Sequence, residues 1–464
     1  MSLESLPNEV LLKIIDILEE EGLSESNYVC ATESLSTCSR HLYNVAIPSI
    51  YASIIVTNIE RLRNFTKTVS MNPKLASLVS FIDLDSFDDD DYSASNGWKS
   101  ATLNWTVDDV ELSSSFLQTK RSDIQELLAE DRRSEILTQL ETQDMSFWSL
   151  AALSICLLPN LKELNLPTLS TPQDGRKYDA PLFCRFIGRI ARIQKNPGLQ
   201  ISPLSALNNL RIEGTYGRKG GRNFKSMIQL LTLPSLQKFV VRDLGVSENM
   251  SSAIYGTNST LLHLSITNSE LPARHLLDLL KSCTNLEQIE YEETGHVYIS
   301  DSPVYSINII EGLSHLKDRL RILSLLFGCH AQEPIDLSLL RDFKALQRLE
   351  ISISTLLSNT KVTNSTFSGP LVGHIFPQTL VSLGLRCGWA SQQYLDVMLQ
   401  KMRQMVKEMK DSTPILEDIT LSHFPEHNSH YCKTHSRCGI FKRHPLLLKL
   451  STECQENGVT LKVS

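Results

Sequence analysis

The side chains best suited to chemistry crowd a short stretch near the C-terminus: His427, His430, Cys432, His435, Cys438 and His444. Imidazole nitrogen and thiolate sulfur are the donors zinc prefers, so this segment has the composition of a tetrahedral metal site. Its spacing does not follow: no Cys-x-x-Cys pair occurs and proline, lysine and arginine are interleaved, so the residues read as ordinary loop and core positions. A second cluster, Gly214-Thr215-Tyr216-Gly217-Arg218-Lys219-Gly220-Gly221-Arg222, precedes a helix expected from near Asn223. Backbone N–H groups, a helix start and cations are the means of holding a phosphate, for example one on a phosphorylated substrate. The order of a nucleotide-binding loop, G-x-x-x-x-G-K-S/T, is missing, and a surface loop is the simpler reading. Asp88-Asp89-Asp90-Asp91 lacks the alternating ligands, glycine turn and distal glutamate of a calcium loop, and reads as a solvated acidic loop. There is no H-E-x-x-H, no G-x-S-x-G elbow and no dinucleotide fingerprint. The sequence therefore predicts a binding protein with no catalytic residue, no metal and no cofactor.

Composition narrows the class. The chain has 464 residues, 41% hydrophobic and 21% charged, enough to bury a large core as one extended array or as two to three domains. Its longest apolar stretch, Phe147 to Leu158, is too short to span a bilayer, which takes about 20 residues. The acidic, amphipathic N-terminus does not read as a signal peptide. Ten scattered cysteines suit free thiols in a reducing compartment, so a cytoplasmic or nuclear location is expected. A net charge of −7 without a dominant basic face argues against nucleic acid as the main partner.

The elements that position a binding surface begin at the N-terminus. Val10, Leu11, Leu12, Ile14, Ile15, Ile17 and Leu18 cover an arc of roughly 220° at about 100° per residue, where a helix facing one core needs little over 100°. Only Glu9, Lys13, Asp16 and Glu20 hold the wet side. Pro7 suits the first helical position, and Glu9 favours the positive end of the helix dipole. This excess of apolar surface on a small module points to a protein partner.

The segment Leu6-Pro7-x-Glu9-Val10-Leu11-x-x-Ile14 resembles the opening of an F-box, and Leu35 to Tyr51 resembles its later helix and exit, with Leu35, Cys38, Leu42 and Val45 at helical spacing. The match covers about a tenth of the chain and departs at Leu42, where the family usually has an aromatic. The resemblance implies that Leu6, Pro7, Glu9, Val10, Leu11, Ile14, Leu35, Cys38 and Leu42 meet the Skp-type adaptor of a cullin ubiquitin ligase.

Beyond this module a Leu-x-x-Leu-x-Leu pattern recurs. Copies occur at Leu161/Leu164/Leu166, Leu207/Leu210/Ile212, Leu236/Phe239/Val241, Leu261/Leu264/Ile266, Leu286/Ile289/Tyr291, Leu320/Leu323/Leu325, Leu346/Leu349/Ile351, Leu380/Leu383/Leu385 and Leu416/Ile419/Leu421. The mean period from Leu207 to Leu416 is about 30 residues. Helix-spaced runs such as Ala273/Leu276/Leu277/Leu280 precede several copies, and Val459 to Val463 after Gly458 forms a last strand. The predicted fold class is α/β. It consists of a small all-α F-box (1–51), early irregular repeats with an acidic insertion and a helix over 121–142 (52–150), and an irregular leucine-rich-repeat solenoid (151–464). Strands line its concave face and helices its convex face, an arrangement similar to that of fungal-type F-box proteins. Two early strands, Ser53 to Thr57 and Leu78 to Leu84, are expected with Ile54, Val56, Leu78 and Phe81 inward.

Strand positions between the inward leucines name a candidate target surface: Arg211, Lys238, Arg242, His263, Gln288, Glu290, Arg348, Glu350 and Arg386, with Glu163, Asn165, Asn209, Glu213, Thr267, Glu292 and Asp418 beside them. A basic group next to an acidic one suggests a partner of mixed charge, and Ile322 and Leu326 break the polar pattern. The expected role is a substrate-recognition subunit of a Skp-cullin-F-box ubiquitin ligase, holding an unidentified protein target. The alternative is a leucine-rich-repeat scaffold acting outside a ligase. Neither nucleic acid nor a membrane is an expected partner.

Overall fold

The computed structural model describes residues 6–20, 34–84, 147–167, 180–195, 203–212, 229–242, 260–269, 273–293, 309–327, 337–353, 375–387, 399–407, 415–423 and 444–463, with short pieces at 3, 32, 271, 362–363, 366–367, 396 and 413. The helix expected over 121–142, the acidic run at Asp88, the loop at Gly214 and the His427 to Cys438 cluster lie outside the described residues. Two compact units divide the chain, the first ending at Leu236 and the second starting at Gln237. That boundary falls inside the array predicted over 151–464.

In the first unit, helix α1 (Asn8–Glu20) packs on α2 (Arg40–Ala52), which runs directly into strand β1 (Ser53–Ile55). Helices α3 (Ile59–Met71) and α4 (Pro73–Ala76) lead to β2 (Phe81–Asp83). Helix α5 (Phe147–Cys156) is buried from Phe147 to Ile155 and packs on α3, where Thr66 and Ser154 share a buried 2.6 Å hydroxyl hydrogen bond. Strand β3 (Glu163–Leu166), helix α6 (Ala180–Gln194) and strand β4 (Asn209–Ile212) follow. Strands β1 to β4 form parallel neighbours in chain order. No described helix is long and apolar enough to cross a membrane.

The second unit repeats the scheme with β5 (Lys238–Arg242), β6 (His263–Ser269), helix α7 (Ala273–Ser282), β7 (Gln288–Glu293), α8 (Ile309–Gly312), β8 (Ile322–Leu326) and β9 (Arg348–Ser352). After a small antiparallel hairpin, β10 (Val362–Thr363) with β11 (Thr366–Phe367), come β12 (Ser382–Cys387), helix α9 (399–407), β13 (Asp418–His423), α10 (Pro445–Glu456) and β14 (Thr460–Val463). The parallel order is β5-β6-β7-β8-β9-β12-β13-β14. The protein is thus an α/β fold of parallel strands alternating with helices.

Every triplet drawn from the sequence points inward. All the triplet residues are 0 to 3% exposed except Leu416, at 7%. The strands pair so that Phe239, Leu264, Ile289, Leu323, Leu349, Leu383 and Ile419 form one continuous core row. A single main-chain device fixes this register. Just before most of the strands one carbonyl accepts two successive N–H groups of the next repeat: Lys162 from Asn208 and Asn209, Leu262 from Glu287 and Gln288, Glu287 from Arg321 and Ile322, Gln347 from Val381 and Ser382. A parallel strand shifted by one residue would turn its leucines to solvent, so these clamps and the apolar rows specify the same pairing.

The early strands correct one expectation. Phe81 and Leu78 are half-buried, while Val79, Ile82 and Leu84 are fully buried. Ile82 pairs in register with Leu164 and so takes the core position, which puts Phe81 in the outer row opposite Glu163. Val56, just after β1, is buried as expected, and Ile54 within it is half-buried.

Two residues show where backbone conformation matters. Asn268 has φ +50° at the break in register between Ile266 and Ser269, a left-handed conformation that asparagine tolerates well. Gly458 (φ +75°) ends α10: its N–H bonds to Gln455 O and the Val459 N–H to Cys454 O, the paired bonds of a left-handed helix stop. A Cβ there meets nothing within 4 Å, so only the backbone resists substitution. Gly458→Ala is expected to cost about 1 kcal/mol in urea denaturation, with an unchanged far-ultraviolet spectrum.

Candidate functional site

Two surfaces are built by these elements, one in each unit. The first is on α1. Leu11 and Ile15 are fully buried and form a small core with Leu42, Val45 and Ala46 of α2, against which Leu6, Ile14, Leu35 and Ile50 also pack. This divides the apolar arc. Leu11 and Ile15 are spaced i, i+4 and serve the module itself, whereas Val10 (41% exposed) and Ile17 (50%) flank the half-buried Ile14 as a second stripe. Leu12, on the far side of the helix, is also exposed, as are Leu3 and Tyr43.

Of the nine positions expected at an adaptor, Pro7, Glu9, Val10 and Cys38 are exposed, and Leu6, Ile14 and Leu35 are half-buried. Leu11 and Leu42 are interior, so neither offers its side chain to a partner. Their burial follows from α2, whose own apolar face needs a neighbour and finds it in α1. The later helix is also interrupted: Ser39 is extended (φ −162°, ψ 163°) and its hydroxyl accepts from the Leu42 N–H at 3.2 Å. Leu35 and Cys38 therefore lie on a separate helical segment that ends at Cys38. Ile17, Leu12 and Tyr43 were not singled out in sequence as contact residues, although the width of the arc had already marked Ile17 and Leu12 as surplus.

The second surface is the polar face of the second unit's strands. Register aligns Lys238, His263, Gln288, Ile322, Arg348, Ser382 and Asp418 in one cross-strand row. A second row runs Val240, Ser265, Glu290, Ser324, Glu350, Gly384 and Thr420. Arg242, Glu292, Leu326 and Arg386 lie one pleat further along their strands. Eight of the nine expected target-binding residues thus share this face, while Arg211 is exposed on β4 of the first unit.

The carboxylates of this face are closely supported. Glu290 accepts from Gln288 Nε2 at 2.6 Å and Ser265 Oγ at 2.9 Å, with His263 Nε2 at 3.8 Å. His263 beside it, and then the Ser265 and Gln288 donors, hold its carboxyl down to about 2 against the opposing effect of burial. Glu350 accepts from Ser324 at 3.1 Å and from Arg386 at 3.2 Å, and Arg386 also reaches Glu292 at 2.7 Å. Arg386 thereby crosses from β12 to β7, past β9 and β8. Gly384 makes room beside it, since a Cβ at that position would lie 2.9 Å from Glu350 Cγ. Asp418 accepts from Ser382 at 2.9 Å and pairs with Lys462 at 3.7 Å.

Leu326 is 2% exposed and Ile322 half-buried, so of these two only Ile322 remains as an apolar contact on this face. Sequence reading missed Ser265, Ser324, Ser382 and Gly384. Their signal was positional, because they occupy the same alternate strand sites as the charged residues they serve.

A depressed carboxyl has a pH signature. Glu290 binds its proton more weakly when folded than when unfolded, so its contribution to stability is complete above about pH 4.5 and is lost as pH falls toward about 2. Acid titration of the wild type against Glu290→Gln should show the two stability curves converging across that interval. Curves that stay parallel would mean that the carboxylate is not held in this way.

Several other reactive groups are turned inward. His444 caps α10, its Nδ1 accepting from the Leu446 N–H at 3.3 Å while Nε2 faces Asp396 at 2.9 Å, so both ring nitrogens are engaged by the fold. Burial pushes the Cys283 and Cys454 thiols up to about 11, and those of Cys156 and Cys184 further. Among the described residues no group of histidine, cysteine and carboxylate side chains is arranged to hold a metal. No protein-family model matches this sequence, and no curated protein matches it either.

Proposed function

We propose that the protein is a substrate receptor of a cullin ubiquitin ligase. The N-terminal helices act as an F-box that binds a Skp-type adaptor, and the strands and helices that follow act as an irregular leucine-rich-repeat solenoid that binds the target. The observation that carries this reading is the stripe of Val10 and Ile17 on either side of half-buried Ile14, two apolar side chains that stay exposed after α1 has satisfied its own core through Leu11 and Ile15. A helix that only stabilised its own domain would have no need of that second stripe. In this role the chain contributes proximity and orientation, raising the local concentration of target lysines near a conjugating enzyme, and no catalytic side chain.

The test is co-purification of a Skp-type adaptor with the wild type and with a Val10→Asp, Ile17→Asp double variant. Because both sites are exposed, the double variant is expected to melt within about 0.5 kcal/mol of the wild type and yet to lose the adaptor. Wild-type protein that never retains an adaptor would instead favour a scaffold acting outside a ligase.

A further inference from the structure

From sequence the strand face of the second unit presents charges of both signs, but the structure spends them unequally. Among the described residues each of its carboxylates already has a donor: Glu290 has Gln288 and Ser265, Glu350 has Ser324 and Arg386, Glu292 has Arg386, and Asp418 has Ser382 and Lys462. Lys238 and Arg348 are different. Both are exposed, and neither takes part in an ion pair or a side-chain hydrogen bond among the described residues. The charge left to recognise a partner is therefore positive.

These two cations occupy the same cross-strand row, Lys238 on β5 and Arg348 on β9, with half-buried Ile322 between them on β8. Four strand spacings of about 4.8 Å put their backbones about 19 Å apart, the length of about six residues of extended chain. We propose that this row docks an extended acidic segment of a partner protein, with one carboxylate at Lys238, another at Arg348 and an apolar side chain between them on Ile322. A nucleic acid fits less well, because its continuous phosphates would run beside Glu290, Glu292 and Glu350. The inference rests on the reading of this face as the target site and specifies the chemistry of that target.

Fluorescence anisotropy on the full-length protein can test it, using a labelled peptide with glutamates at both ends and a leucine between, at the spacing given above. A Lys238→Glu, Arg348→Glu double variant should bind this peptide about tenfold more weakly, and added salt should weaken wild-type binding. A control peptide with lysines in place of the glutamates should not bind. The neutral pair Lys238→Met with Arg348→Met should fall between, which separates lost attraction from any misfolding caused by charge reversal. Equal binding by wild type and both variants, no binding of the acidic peptide, or tighter binding of a single-stranded oligonucleotide would overturn the proposal. Adaptor capture run on the same variants should be unchanged. Peptide binding without adaptor capture by the wild type would overturn the ligase reading alone.

Discussion

Leu11→Asp is expected to unfold the α1–α2 pair and, through that unfolding, to abolish adaptor binding. Leu11 is fully buried and packs with Ile15, Leu42, Val45 and Ala46 in a core too small to reorganise around a charge. Truncating a buried leucine typically costs about 2–5 kcal/mol, and an aspartate adds the desolvation of an unpaired carboxylate. A loss of about 5 kcal/mol exceeds what two short helices hold in reserve. Since α2 leads straight into β1, hydrogen exchange should accelerate across Arg40–Ala52 and reach β1, while the second unit keeps its protection. Leu11→Asp with unchanged exchange in α2 would mean that α1 is not part of that core. The contrast with the exposed Val10 and Ile17 matters, because under the proposed function both sets of substitutions are expected to remove the adaptor but only one to remove structure.

The second large effect is expected at Arg386. Its guanidinium is the shared partner of Glu292 and Glu350, and the three side chains are only 19 to 21% exposed. Arg386→Ala leaves two carboxylates on one face without their cation. Removing one partner of a fully buried pair costs about 3–5 kcal/mol, and partial solvent access here reduces that to about 2 kcal/mol. Chemical denaturation should register this loss, and the triple variant Arg386→Met, Glu292→Gln, Glu350→Gln should recover most of it by removing all three charges together. A triple variant no more stable than Arg386→Ala would show that packing of the arginine stem, not charge, accounts for the loss. Gly384→Ala should reproduce part of the effect, because its Cβ would crowd Glu350 out of the bridge.

Legibility in the sequence followed periodicity. The triplets were readable because a strand buried on one side must repeat its apolar residues at alternate positions, and all of them turned out to be interior. The polar strand face was readable for the same reason, down to eight of nine named residues. Where periodicity was short, parity slipped: Phe81 and Ile82 are adjacent apolar residues, and only the pairing of Ile82 with Leu164 decides which is inside. Excess apolar surface on α1 was also visible, but not its division. Which leucine faces its own core depends on where α2 docks, and the apolar spacing from Leu35 to Val45 did not show that Ser39 breaks the run before α2 begins at Arg40. Charge pairing was the least legible, since Arg386 meets Glu292 from ninety-four residues away along the chain.

The carbonyl clamps between successive strands involve only main-chain atoms, and this separates alignment from spacer length. Starts of successive parallel strands from β5 to β13 lie from about 25 to about 36 residues apart, and the same two-to-one bond recurs regardless. Doubling a connecting segment costs only about 0.6 kcal/mol in closure entropy. Such a scaffold can accept extra residues between its rungs without disturbing their alignment, so new peripheral segments can be grafted on while the polar strand face stays as it was.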